Sequence, residues 1–190
     1  MQKAEYRYYE ISRDIPVLVL TGEKWETIYG TDNMHFHNYL EIGYCHYGKG
    51  TVQLADRELT YDAGTITFIP HNIPHRTCPE QKKADEKQKW EYLFVDSDTI
   101  LKKCFADVDR KSTIKLKKNL GAEVFALDQK NNKRAAELMQ MIIEEEQCKR
   151  PNYKYAIPAL ALNLCCFLTG WDRKKWKKPR SRIQWIIFGN

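Results

Sequence analysis

The sequence predicts a mainly β protein, a small antiparallel barrel followed by an α-helical hairpin. Short β-rich runs separated by turn residues fill the first half, and after Asn131 the apolar residues change to helical spacing. Two histidines stand two residues apart ahead of the longest of these runs, where they share one face of an extended segment.

The expected strands, in order, are Tyr6 to Ile11, Pro16 to Thr21, Trp25 to Tyr29, Tyr39 to Tyr47, Thr51 to Ala55, Glu58 to Tyr61, Thr65 to Pro70 and Trp90 to Val95. Strands this short and this closely spaced suit a barrel or sandwich. Gly48-Lys49-Gly50 and Asp56-Arg57 supply turn residues for tight hairpins, so Thr51 to Tyr61 reads as two paired strands. Pro79 to Lys89 is polar and without period, and reads as a mobile loop.

From Asn131 to Gln147, Ala135, Leu138, Met139 and Ile142 form one helical face. A second helix is expected from about Tyr155, with Pro158 in its first turn, to a stop at Gly170. Short-linked helices of this kind form a hairpin. The pair has more apolar positions than a cap on the barrel needs, so Met141, Ile143, Ala161, Leu162 and Cys165 are expected to meet a second copy, and glutamate at Leu138 and Leu164 is expected to give monomers.

The formal net charge is +6, and Lys174, Lys175, Lys177, Lys178, Arg180 and Arg182 crowd the C-terminus. Any affinity for phosphates is expected there, weak and salt-sensitive. No apolar run has the ~20 residues of a membrane span, the N-terminus lacks a signal-peptide pattern, and the six cysteines form no C-x-x-C pair. A cytoplasmic protein with reduced thiols, most of them small apolar fillers, is the expectation.

The chemistry concentrates in His35, His37, Glu41 and His75. Glu41 has the parity of the two histidines, but a straight strand would hold it ~13 Å from His37, so the chain must bend near Asn38. His75 follows a β run that ends at a proline pair, from where it can return toward the barrel mouth. Imidazole and carboxylate donors suit one divalent ion: zinc, nickel, iron or manganese. Without an ion the same side chains, with Tyr39 as a stacking face, would hold a small polar ligand directly.

His35-x-His37-x-x-x-Glu41-x-x-x-x-x-x-Gly48 resembles the first cupin motif, and Gly64-x-x-x-x-x-Pro70-x-Asn72-x-x-His75 resembles the second. Gly30 lies one residue too near His35, Asn72 stands where glycine is usual, and Pro79 replaces the usual asparagine. The resemblance implies a cupin barrel with His35, His37, Glu41 and His75 as its ligands. The cadence from His35 to His75, followed by a helical pair, is similar to the sensor domain of AraC-type transcription regulators.

That resemblance implies an effector-binding barrel over residues 1–128, a dimerising hairpin over 129–170, and a basic linker with the truncated start of a DNA-binding domain over 171–190. It implies a small-molecule effector, a sugar or another small polar ligand, a homodimer, and DNA contact only through a helix-turn-helix domain absent from this chain. The chain itself is then not expected to bind DNA with sequence specificity. It also implies a sensor rather than an enzyme. The alternative is a metal-dependent cupin enzyme, a dioxygenase or a sugar isomerase or epimerase, using the same four residues.

Overall fold

The structure, a computed structural model, describes residues 4–22, 26–28, 33–80, 87–104 and 110–170. Its strands are β1 (Glu5–Arg7), β2 (Val17–Leu20), β3 (Glu26–Ile28), β4 (His35–His37), β5 (Leu40–Tyr47), β6 (Gly50–Leu54), β7 (Glu58–Tyr61), β8 (Thr65–Ile69), β9 (His75–Pro79) and β10 (Lys87–Val95). Helices α1 (Ser97–Cys104) and α2 (Arg110–Leu120), strand β11 (Phe125–Asp128), and helices α3 (Lys133–Cys148) and α4 (Tyr153–Gly170) follow. The basic C-terminal cluster lies outside the described residues.

Two sheets face each other as in a cupin barrel. One runs β1-β4-β9-β6-β7; the other runs β11-β8-β5-β10-β2, with β3 also paired to β10. Strand β5 supplies a wall to two environments, because alternate side chains leave a strand on opposite faces. Leu40, Ile42 and Tyr44 join a core with Phe68, Leu93, Ile142 and Leu164, beneath α3 and α4. Cys45, on the other face, packs inside the barrel with Val52, Leu59, Tyr61, Ile69 and Trp90. Gly43 also faces inward, where a Cβ would lie 2.6 Å from Thr67 Oγ1 and 3.2 Å from both Trp90 and Tyr92, so only glycine lets those rings approach.

The register bears out the Asp56-Arg57 hairpin, with Val52 opposite Leu59. Gly48-Lys49 joins no hairpin: β5 and β6 lie in different sheets, and Gly48 at φ +105° turns the chain from one to the other. The first strand is shorter than expected, since β1 pairs only with the three residues of β4. Strand β9 was not expected; its Arg76 and Cys78 hide the usual apolar signal, yet it pairs with β6 from Gly50 to Leu54. Strand β10 begins at Lys87, inside the expected polar loop, while residues 81–86 lie outside the described residues.

Strand β11 and helices α1 and α2 fill a stretch that sequence periodicity left unassigned. Helix α4 starts at Tyr153, so Pro158 sits beyond the first turn and forgoes the bond to the Lys154 carbonyl. Of the five surplus apolar positions, Ile143, Ala161 and Cys165 are buried within this chain, and so are Leu138 and Leu164. Glutamate at the last two would break the core instead of testing association. Cys45 and Cys165 are buried fillers; Cys104, Cys148 and Cys166 are exposed, against the filler reading of most cysteines. Among the described residues no helix is long and apolar enough to cross a membrane.

Candidate metal centre

His35, His37, Glu41 and His75 come together from three strands, and one potential ligand atom from each lies within 4.8 Å of all the others. Strand β4 sends both its histidines inward, and β9 places His75 directly opposite His35. The chain bends at Asn38 and Tyr39, as the reach of a strand requires, and crosses to the other sheet before Glu41. Asn38 pins the bend: its Oδ1 accepts from the Tyr9 N–H at 3.0 Å and its Nδ2 donates to the Tyr9 carbonyl at 2.9 Å.

All four side chains are buried, none more than 5% exposed. Glu41 Oε2 lies 2.8 Å from His37 Nε2 and 3.4 Å from His75 Nε2. Burial alone would raise the Glu41 carboxyl, but the charges of His75 and His37 outweigh it and hold the group well below the usual carboxylate range. The contact to His37 is short yet not aligned as a hydrogen bond, and neither ring nitrogen of His37 is satisfied by one. Four potential donors converging over so short a span is the geometry of groups aimed at a common point.

Backbone carbonyls orient two of the rings. His35 Nδ1 lies 2.7 Å from the Asn33 carbonyl and His75 Nδ1 lies 2.9 Å from the Ile73 carbonyl. A carbonyl only accepts, so each Nδ1 carries a proton, and whenever the ring is neutral its lone pair lies on Nε2. Metal-binding imidazoles are commonly held this way by their outer neighbours. Asn72, at φ 60° in the left-handed region, closes the turn before His75, and its N–H donates to the His37 carbonyl at 2.8 Å. Asparagine tolerates that conformation, which explains how it stands where the motif usually has glycine.

The donor set fits a divalent ion: three imidazoles and one carboxylate, buried, convergent, and with two tautomers fixed. The wall beside them is aromatic. Phe94 meets His37 edge-on at 4.8 Å, and Tyr9 stacks on Phe94 at 4.1 Å. Sequence reading missed both rings, although Phe94 lies directly opposite Glu41 on β10. Tyr39 stands apart from the four, in an outer recess of about 460 Å³ with Tyr8, Glu10, Ile11 and Ser12.

Residues 20–96 match the family described as the AraC-like ligand binding domain. All four donors fall inside that span. Among solved structures the chain is similar to CuxR, an AraC-like transcriptional activator, at 13% identity over 77% of this chain and 46% of CuxR, TM-score 0.44. It is similar to ToxT from Vibrio cholerae O395 at 12% identity over 83% of this chain and 55% of ToxT, TM-score 0.45. A cupin-2 domain protein from Shewanella frigidimarina matches at 19% identity over 42% of this chain and 66% of its own, TM-score 0.30. The chain spans about half the length of CuxR and of ToxT. No curated protein matches the sequence.

Proposed function

We propose that this chain is the effector-sensing part of an AraC-type transcription regulator, cytoplasmic and dimeric, in which His35, His37, Glu41 and His75 form the ligand site. The match of residues 20–96 to the AraC-like ligand binding domain carries the reading. A divalent ion held by those four residues would act as a Lewis acid, gripping a carboxylate or hydroxyl of a small polar effector such as a sugar. Without an ion, the three imidazoles and Glu41 still offer donors and acceptors in an apolar setting. Phe94 and Tyr9 keep water from the His37 side.

A signal has a short path to travel. Glu41 points into the site from β5, while Ile42 and Tyr44 on the same strand pack under the helices. Tyr44 also donates from its hydroxyl to Gln129 Oε1 at 2.7 Å, just ahead of α3. A shift of Glu41 on ligand binding therefore reaches the helical hairpin within one strand. Promoter reading would belong to a helix-turn-helix region of the whole regulator.

Zinc, nickel or manganese added to ion-stripped protein should bind near one equivalent and raise the melting temperature. His35→Ala with His75→Ala should abolish both effects; unchanged metal content and thermal shift in that variant would exclude the site. The buried donor set also suits a cupin enzyme, a dioxygenase or a sugar isomerase or epimerase. Turnover by the iron- or manganese-loaded protein, lost in the same variant, would favour that second reading.

A further inference from the structure

The three imidazoles of the centre are not held alike. His35 and His75 each commit Nδ1 to a backbone carbonyl, of Asn33 at 2.7 Å and of Ile73 at 2.9 Å, which fixes the ring and leaves Nε2 for an ion. His37 is just as buried, yet among the described residues its Nδ1 meets no hydrogen-bond partner. Its backbone is firmly placed, since its carbonyl accepts from the Asn72 N–H at 2.8 Å. Beyond the cluster, ring packing alone steadies the side chain: Phe94 edge-on at 4.8 Å and Tyr9 tilted at 5.3 Å.

Ligation therefore costs His37 something that it does not cost the other two. The nitrogen that His37 turns toward the other donors is Nε2, 2.8 Å from Glu41 Oε2. A neutral imidazole that gives Nε2 to an ion must carry its proton on Nδ1. On His35 and His75 that proton meets a carbonyl; on His37 it becomes a buried donor without an acceptor, an arrangement that folded proteins rarely keep. Once off the ion, His37 can carry the proton on Nε2 beside the Glu41 carboxylate, and no donor is orphaned.

Coordination number and charge act in the same direction. Four protein donors around a tetrahedral ion such as zinc leave no position open, and an ion that grips a ligand needs one. Glu41 is the one acidic group among the four donors, so it offsets one of the two charges of a divalent ion. A second carboxylate in place of a neutral imidazole would offset the other, which a buried site favours.

We propose that His37 is the exchangeable donor of the centre, and that a carboxylate oxygen of a small effector takes its place on the ion while His35, His75 and Glu41 stay. The proposal rests on the metal-centred reading above and adds which side chain yields and which chemical group replaces it.

Cobalt(II), whose visible bands report its donor set, and glycolate as the probe carboxylate test this on the full chain. His35→Ala and His75→Ala should each weaken cobalt binding at least about 100-fold, and His37→Ala no more than about tenfold. Glycolate should shift the bands of the cobalt-loaded parent. In nitrogen-15 spectra of the zinc-loaded parent, it should move the Nε2 resonance of His37 alone away from its metal-bound position. Melting curves of the ion-free variants establish that they fold, and the parent spectra decide the matter even where His37→Ala does not. A His37 resonance that stays metal-bound in saturating glycolate, or equal losses from three folded variants, would overturn the exchange and leave the four-donor centre standing. A parent that takes up no cobalt would overturn both.

Discussion

His75 Nε2 faces Glu41 Oε2 at 3.4 Å while the other ring nitrogen, Nδ1, is committed to the Ile73 carbonyl at 2.9 Å. A neutral His75 would aim its lone pair at a carboxylate, two acceptors in contact within a buried site. The pair is relieved by a cation, either a proton on Nε2 or a metal ion.

Metal uptake should therefore displace a proton. Titrating zinc into the ion-stripped protein near pH 6 should release about one proton per ion, so the calorimetric heat should vary with the ionisation enthalpy of the buffer. Affinity should fall as the solution is acidified, because the protonated imidazole competes with the ion. A heat identical in two buffers that both titrate near pH 6 but differ in ionisation enthalpy, MES and cacodylate, would contradict this account.

Asn72 offers a backbone test. At φ 60° a β-branched residue is strained, so Asn72→Val should cost about 1–2 kcal/mol or more, read from denaturant melts. Asn72→Gly should stay within about 1 kcal/mol of the parent. Equal stability of the two variants would mean that the turn can relax.

Leu164 is fully buried between the hairpin and the sheet. Its truncation to alanine should cost about 2–5 kcal/mol and lower the melting temperature of the whole chain in one transition. Two separate transitions would show that barrel and hairpin unfold independently.

Thiol reactivity should divide the cysteines. Burial pushes Cys45 up to about 12, and burial with the neighbouring Cys166 pushes Cys165 to about 12 as well. At pH 8 only about one in ten thousand of either would be thiolate. Cys104 and Cys148 are exposed, so a native-state reaction with a thiol reagent at pH 8 should label them within minutes and spare Cys45 and Cys165 until the protein is unfolded. Prompt native labelling of Cys165 would count against the packing of α4.

The four converging side chains were legible because parity and spacing act on residue type: His35, His37 and Glu41 share a parity, and the bend at Asn38 follows from the reach of a strand. The carbonyls of Asn33 and Ile73 were not, since any residue supplies one. Strand β9 stayed hidden because Arg76 and Cys78 interrupt its apolar pattern, and its pairing partner β6 lies well back in the sequence. Helix α1 carries a readable mark that apolar periodicity does not detect. Asp96 Oδ1 accepts from the Thr99 N–H at 3.0 Å and Oδ2 from the Thr99 hydroxyl at 2.7 Å, an N-terminal cap visible as Asp-x-x-Thr. The exposed Met141 and the buried Ile143 are two residues apart on one helix, and periodicity alone did not separate them.

Cutting the molecule after Asp128 would slice through a single shared core. Leu40, Ile42 and Phe68 on the sheet share their packing with Ile142, Ile157 and Leu164 on the helices. A barrel expressed by itself would carry a bare oily flank and is expected to aggregate. Grafting this sensor onto a different output therefore means transplanting the hairpin with it, with the splice no earlier than Gly170.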